Sequence, residues 1–154
     1  MESSEIIRSF CEKIGIGYEP DADGVCSFEA DGLLVSIHDL RELDTIALVG
    51  DLGEPPPERL ELLYKTMLES NHLFGGTGGA TLSLDPATGH FALCLAMPCR
   101  ALDADSFYAA TERFVSTMET WKKLIGDFRS VLPPLAETEA EMPRGLSDAG
   151  FMQV

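Results

Sequence analysis

Residues 60–98 read LELLYKTMLESN, then HLFGGTGGA, then TLSLDPATGHFALCLAMP. Leu60, Leu63, Tyr64, Met67 and Asn71 recur three or four residues apart, which predicts an amphipathic helix from Glu58 to about Asn71. Pro57 suits the first turn of that helix. The glycines between Gly75 and Gly79 end it, because glycine accepts the left-handed backbone of a C-cap. Beyond them Leu82 and Leu84 alternate with Thr81, Ser83 and Asp85. Phe91, Leu93, Leu95 and Met97 alternate with Ala92, Cys94 and Ala96. Asp85-Pro86-Ala87-Thr88-Gly89 has the chemistry of a turn, so the two strands form a β-hairpin. Helix, glycine-rich link and hairpin make a frame without an evident catalytic group.

Upstream, Ile6, Ile7, Phe10, Cys11 and Ile14 mark a first helix, with Ser3 or Ser4 as its cap and Gly15 and Gly17 at its end. Val25–Ala30 and Leu33–His38 read as strands joined by the two-residue turn Asp31-Gly32. In the second, Leu33, Val35 and Ile37 share a face opposite Leu34, Ser36 and His38. Thr45–Val49 is a third strand, and residues 50–57 are a break rich in Gly and Pro. Downstream, Asp103 is a good N-cap and Leu102 with Phe107 a hydrophobic staple. Phe107, Ala110, Phe114, Met118, Trp121, Ile125 and Phe128 then share one wide helical face until Pro133-Pro134 stops the helix. The order is α-β-β-β-α-β-β-α. Tight turns pair strands antiparallel, so the fold is α+β: a twisted antiparallel sheet of about five strands with three helices. Residues 1–132 form one domain. Residues 133–154 read as an acidic C-terminal tail, with Phe151 and Met152 as its only plausible anchors.

The chain has 154 residues, enough for a sizeable core, and 45% of them are hydrophobic, which argues against general disorder. Its formal net charge of −15 opposes nucleic acid and anionic membranes, and suits a basic or neutral protein partner. The opening Met1-Glu2-Ser3-Ser4-Glu5 lacks the basic and apolar regions of a secretory signal, and no apolar run is long enough to cross a bilayer. Cys11, Cys26, Cys94 and Cys99 form no Cys-x-x-Cys pair and lie apart from His38, His72 and His90, so neither a zinc site nor any other metal site is expected and the thiols are expected free. The run Gly75–Gly79 is no phosphate loop: such loops follow a strand and precede a helix, and here the order is reversed. No nucleophile–base pair stands out, so no catalytic residue is assigned.

The arrangement resembles the class I chaperones of bacterial type III secretion, the Tir-chaperone (CesT) family. The resemblance covers roughly residues 3–128. It rests on Leu63-Tyr-Lys-Thr-Met-Leu-Glu-Ser-Asn71, the glycine-rich link, Leu82-Ser-Leu-Asp85, Gly89, Phe91-Ala-Leu-Cys-Leu95, Leu102-Asp103 and the helix carrying Phe114 and Trp121. It implies a homodimer in the bacterial cytoplasm, without cofactor or ATP. That dimer binds an extended, unfolded N-proximal segment of a secreted effector and keeps it soluble and competent for secretion. The YbjN-like proteins resemble the same architecture, so a small ligand-binding domain, or a small enzyme, is the alternative.

Residue patterns suggest where the two partners lie. Ile6, Ile7, Phe10 and Ile14 span more than one face of a short helix. Together with Phe28 and Leu34, read as lying off the Leu33-Val35-Ile37 face, they form the expected effector groove. The competing reading puts all six in the core. The expected dimer interface comprises Leu60, Leu63, Tyr64, Met67 and Leu68 of the middle helix with Ala92, Cys94 and Ala96 of the last strand, whose small side chains allow close approach.

Overall fold

A computed structural model describes residues 2–130. The expected tail over 133–154, with Phe151 and Met152, lies outside the described residues. The elements are α1 (Ser3–Ile14), β1 (Val25–Ala30), β2 (Leu33–Leu40), β3 (Thr45–Gly53), α2 (Leu60–Asn71), β4 (Thr81–Leu84), β5 (Phe91–Pro98) and α3 (Ala104–Ser130), with short 3-10 turns at Arg41–Leu43, His72–Phe74 and Cys99–Ala101. The five strands form one antiparallel sheet in the order β1-β2-β3-β5-β4.

Local chemistry explains most boundaries. Asp31 and Gly32 both take positive φ, 51° and 77°, as the tight turn between β1 and β2 requires. Ser106 N–H donates to Asp103 Oδ1 at 2.7 Å, and Asp103 N–H donates to Ser106 Oγ at 2.9 Å, a reciprocal cap that starts α3. The Ser106 backbone N–H bonded to the carboxylate, helped by the Ser106 side chain, lowers the pKa of Asp103. Three expectations shift. The cap of α1 is Glu2, in a reciprocal box with Glu5, rather than Ser3 or Ser4. Helix α2 starts at Leu60, because Arg59 sits in the left-handed region at φ 63°. Strand β3 runs on to Gly53 instead of breaking at Gly50. A Cβ on Gly50 would lie 2.2 Å from Met118 Sδ, so this glycine is where α3 touches the sheet.

One sheet face carries Val35, Ile37, Ile46, Leu48 and Leu93, all fully buried beneath α1 and α3. The opposite face presents Leu34, Ser36, His38, Ala47, Val49, Cys94 and Ala96, exposed or half-buried. The two sheet edges differ. At β4, Asn71 of α2 stands in for a neighbouring strand: its Oδ1 accepts from Leu82 N–H at 2.8 Å and its Nδ2 donates to Leu82 C=O at 3.1 Å. At β1, Val25 is bonded through both backbone groups to Asp21, each at 2.9 Å. Strand alternation then turns the N–H and C=O groups of Ser27 and Glu29 toward the same open side.

Candidate functional site

Beside that open edge lies a groove of about 390 Å³ between α1, β1 and α3. Its floor and walls are Phe10, Ile14, Phe28, Ala30, Tyr108 and Val115, and its rim carries Asp31, Glu112 and Glu119. The aromatic part is tightly built. Phe10 lies 5.4 Å from Phe28, 5.2 Å from Phe107 and 6.1 Å from Tyr108, ring centre to ring centre. Lys13 stacks 4.2 Å above the Tyr108 ring and pairs with Asp105 at 3.3 Å, so its charge is held at one end of the groove. All lining side chains that ionise at neutral pH are acidic.

Of the six residues expected here, the structure brings Phe10, Ile14 and Phe28 together and separates the rest. Ile6 and Ile7 are fully buried, and Phe10 is only 2% exposed. The expectation that Ile6 and Ile7 face a partner is corrected, because α3 packs on α1 beside the sheet and buries them, which leaves Ile14 as the half-buried residue of α1 at the groove. Phe28 pairs with Val35 in register, so it lies on the core face and not off it. Leu34 is 52% exposed, but on the opposite face of the sheet. The sequence reading missed Tyr108 and Val115. Both lie off the main apolar stripe of α3, and that offset was the available signal.

A second surface is apolar and exposed. It comprises Tyr64 and Leu68 of α2, Leu73 and Phe74 of the turn that follows, and Leu84 of β4. Asn71 ties these elements together. The Tyr64 ring stands edge-on to Phe91 at 6.0 Å, and Phe91 is the strand partner of Leu84. Leu73 and Phe74 hold left-handed backbone at φ 51° and 58°, a conformation that bulky residues seldom adopt. Among the residues expected at a dimer seam, Leu63, Met67 and Ala92 are buried within their own chain and Leu60 and Cys94 are partly buried, leaving Tyr64, Leu68 and Ala96 exposed.

Three of the four cysteines, Cys11, Cys26 and Cys99, are buried, and Cys94 is half-buried. Burial, reinforced by the neighbouring Cys26 thiol, pushes the Cys11 thiol up to about 12. Burial and nearby Asp44 also raise Cys99. Among the described residues no group of three or more His, Cys, Asp or Glu side chains is arranged to hold a metal, and no helix is long and apolar enough to cross a membrane.

Comparison with solved structures finds the same fold in the ExsC–ExsE complex, at 19% identity over 79% of this chain and 92% of that one, with a TM-score of 0.69. The HopA1–SchA chaperone–effector complex matches at 16% identity over 84% and 97%, with a TM-score of 0.60. The Yersinia pestis type III secretion chaperone SycH, in complex with a fragment of YscM2, matches at 17% identity over 77% and 98%, with a TM-score of 0.59. No curated protein matches the sequence. The model of the Tir chaperone protein (CesT) family matches residues 5–122, most of the described fold. This chain therefore belongs to the Tir chaperone protein (CesT) family.

Proposed function

We propose that this chaperone holds an extended segment of a secreted effector along the open edge of β1, with apolar side chains seated in the α1–β1–α3 groove. The observation that carries the reading is the adjacency of the two features. The free N–H and C=O groups of Ser27 and Glu29 can take up an added strand, and alternate side chains of that strand then fall over Phe28, Ile14 and Val115. The carboxylates of Asp31, Glu112 and Glu119 favour Lys or Arg next to those anchors. Such binding needs no turnover, no cofactor and no ATP, and it belongs in the bacterial cytoplasm, before export.

The test is effector capture from the native bacterium, followed by titration of the captured segment. Val115→Glu places a charge in the half-buried groove wall. It should weaken binding by roughly 30-fold or more, the size of a hot-spot loss, while leaving the melting temperature nearly unchanged. Unaltered affinity would move the site elsewhere. Leu34→Asp reports on the opposite face, and loss of effector in that variant would transfer the site there.

We further propose that two copies pair through Tyr64, Leu68, Leu73, Phe74 and Leu84. A stable interface needs on the order of 800 Å² from each partner, and an exposed apolar surface on a helix, a turn and a strand offers that scale. Leu68 is 69% exposed, so Leu68→Asp should yield a folded monomer by light scattering at micromolar concentration. A variant that remains twice the chain mass would sink this interface. Met67→Glu does not serve as a probe, because Met67 is only 5% exposed and the charge would disturb the fold itself.

A further inference from the structure

We propose that Cys11 and Cys26 are an oxidant-responsive pair, closing to a disulfide that ties α1 to β1 alongside the groove. Their Sγ atoms face each other at 4.0 Å, both thiols are free, and the two residues are 0% and 5% exposed. A disulfide needs the sulfurs at about 2 Å, so closure asks for side-chain rotation and a small approach of the helix. The two sulfurs belong to consecutive elements and lie 15 positions apart in the chain. Phe10 adjoins one cysteine in sequence and Phe28 is two residues beyond the other, and both line the groove.

Hydrogen peroxide is a sufficient oxidant. The Cys26 sulfur, the more accessible of the two, attacks one peroxide oxygen; the O–O bond breaks, and a sulfenic acid and water result. The Cys11 sulfur then attacks the Cys26 sulfur. The S–S bond forms, the S–O bond breaks, and the departing hydroxide takes the Cys11 proton to become a second water. The two thiols lose two electrons and two protons, and the peroxide is reduced to two waters. Burial keeps Cys11 protonated in the closed fold, so the reaction waits on local opening of α1 and responds to sustained oxidant rather than to a trace. The resulting bond fixes the spacing of α1 and β1, and with it the width of the groove. Its bearing on effector affinity rests on the function proposed above; formation of the bond does not.

Peptide mapping of the full chain after peroxide treatment separates the two questions. Trypsin releases Cys11 in Ser9–Lys13, Cys26 in Ile14–Arg41, and Cys94 with Cys99 in Thr66–Arg100. The expected product is Ser9–Lys13 joined to Ile14–Arg41, two hydrogen masses below their sum and split by dithiothreitol. The oxidised chain should melt higher by on the order of 10 °C, a gain that reductant removes and that Cys26→Ala lacks. Recovery of the two peptides as separate thiols or over-oxidised acids, under conditions that oxidise Cys94, would overturn the proposal. So would linkage of Cys11 to Cys94 or Cys99. If the bond forms and effector affinity stays the same, the pairing stands and its coupling to the groove falls.

Discussion

Phe10→Ala is expected to destabilise the fold by roughly 3–5 kcal/mol, the usual cost of emptying a buried aromatic site. At a few degrees per kcal/mol, that lowers the melting temperature by on the order of 10 °C or more. The side chain is 2% exposed and sits among Phe28, Phe107 and Tyr108, so its removal opens a cavity where α1, β1 and α3 meet. The surrounding rings belong to two elements, β1 and α3, and cannot close on the space without moving α1. Leu34→Asp, on an exposed strand position, should cost well under 1 kcal/mol by comparison. Thermal melts followed by circular dichroism decide the matter. A Phe10→Ala protein that melts like the wild type would mean that α1 does not pack as described.

Trp121→Ala should be at least as damaging, again roughly 3–5 kcal/mol. The indole is fully buried, and its Nε1–H donates to the Gly76 carbonyl at 2.9 Å. This bond pins the glycine-rich link between α2 and β4 to the middle of α3. Gly76 itself has no room for a side chain, because a Cβ there would lie 2.5 Å from the Ser70 Cβ. Trp121→Phe keeps most of the ring volume but leaves the buried carbonyl without that donor, an expected cost of roughly 1–3 kcal/mol. Urea melts of the two variants should rank them Ala below Phe below wild type. In the Phe variant, hydrogen exchange should quicken first across the link around Gly76. A Phe variant as stable as the wild type would show that the indole bond contributes nothing.

The residues in these two arguments were legible in different degrees. That Trp121 belongs to a buried stripe follows from spacing alone, since Phe114, Met118, Trp121 and Ile125 recur at helical intervals. That its N–H reaches Gly76, 45 residues away, does not, because no local rule relates a helix to a distant loop. Asn71 is similar. Its place at the end of α2 was readable, whereas its service as a partner for Leu82 depends on where β4 lands. Of the residues that line the groove, Phe10 and Ile14 follow from the spacing of α1, whereas the face on which Phe28 lies depends on strand register, and Tyr108 and Val115 enter only through the packing of α3.

By itself the sequence determined the number, order and type of the elements, the Asp31-Gly32 and Asp85–Gly89 turns, the Asp103 cap and the inward face of β2. Each of these depends on backbone preference or side-chain alternation within a few residues, and such terms act in any context. Tertiary structure alone decided that α3 covers the outer side of α1 and so turns Ile6, Ile7 and Phe10 into core. It also decided that Gly50 lies inside a strand, that β4 is shielded by α2 while β1 stays open, and that Leu34 and the groove fall on opposite sides of the sheet. Burial is a property of pairs of surfaces. A short helix with two apolar faces announces that both will be covered, and only the packed fold says by what.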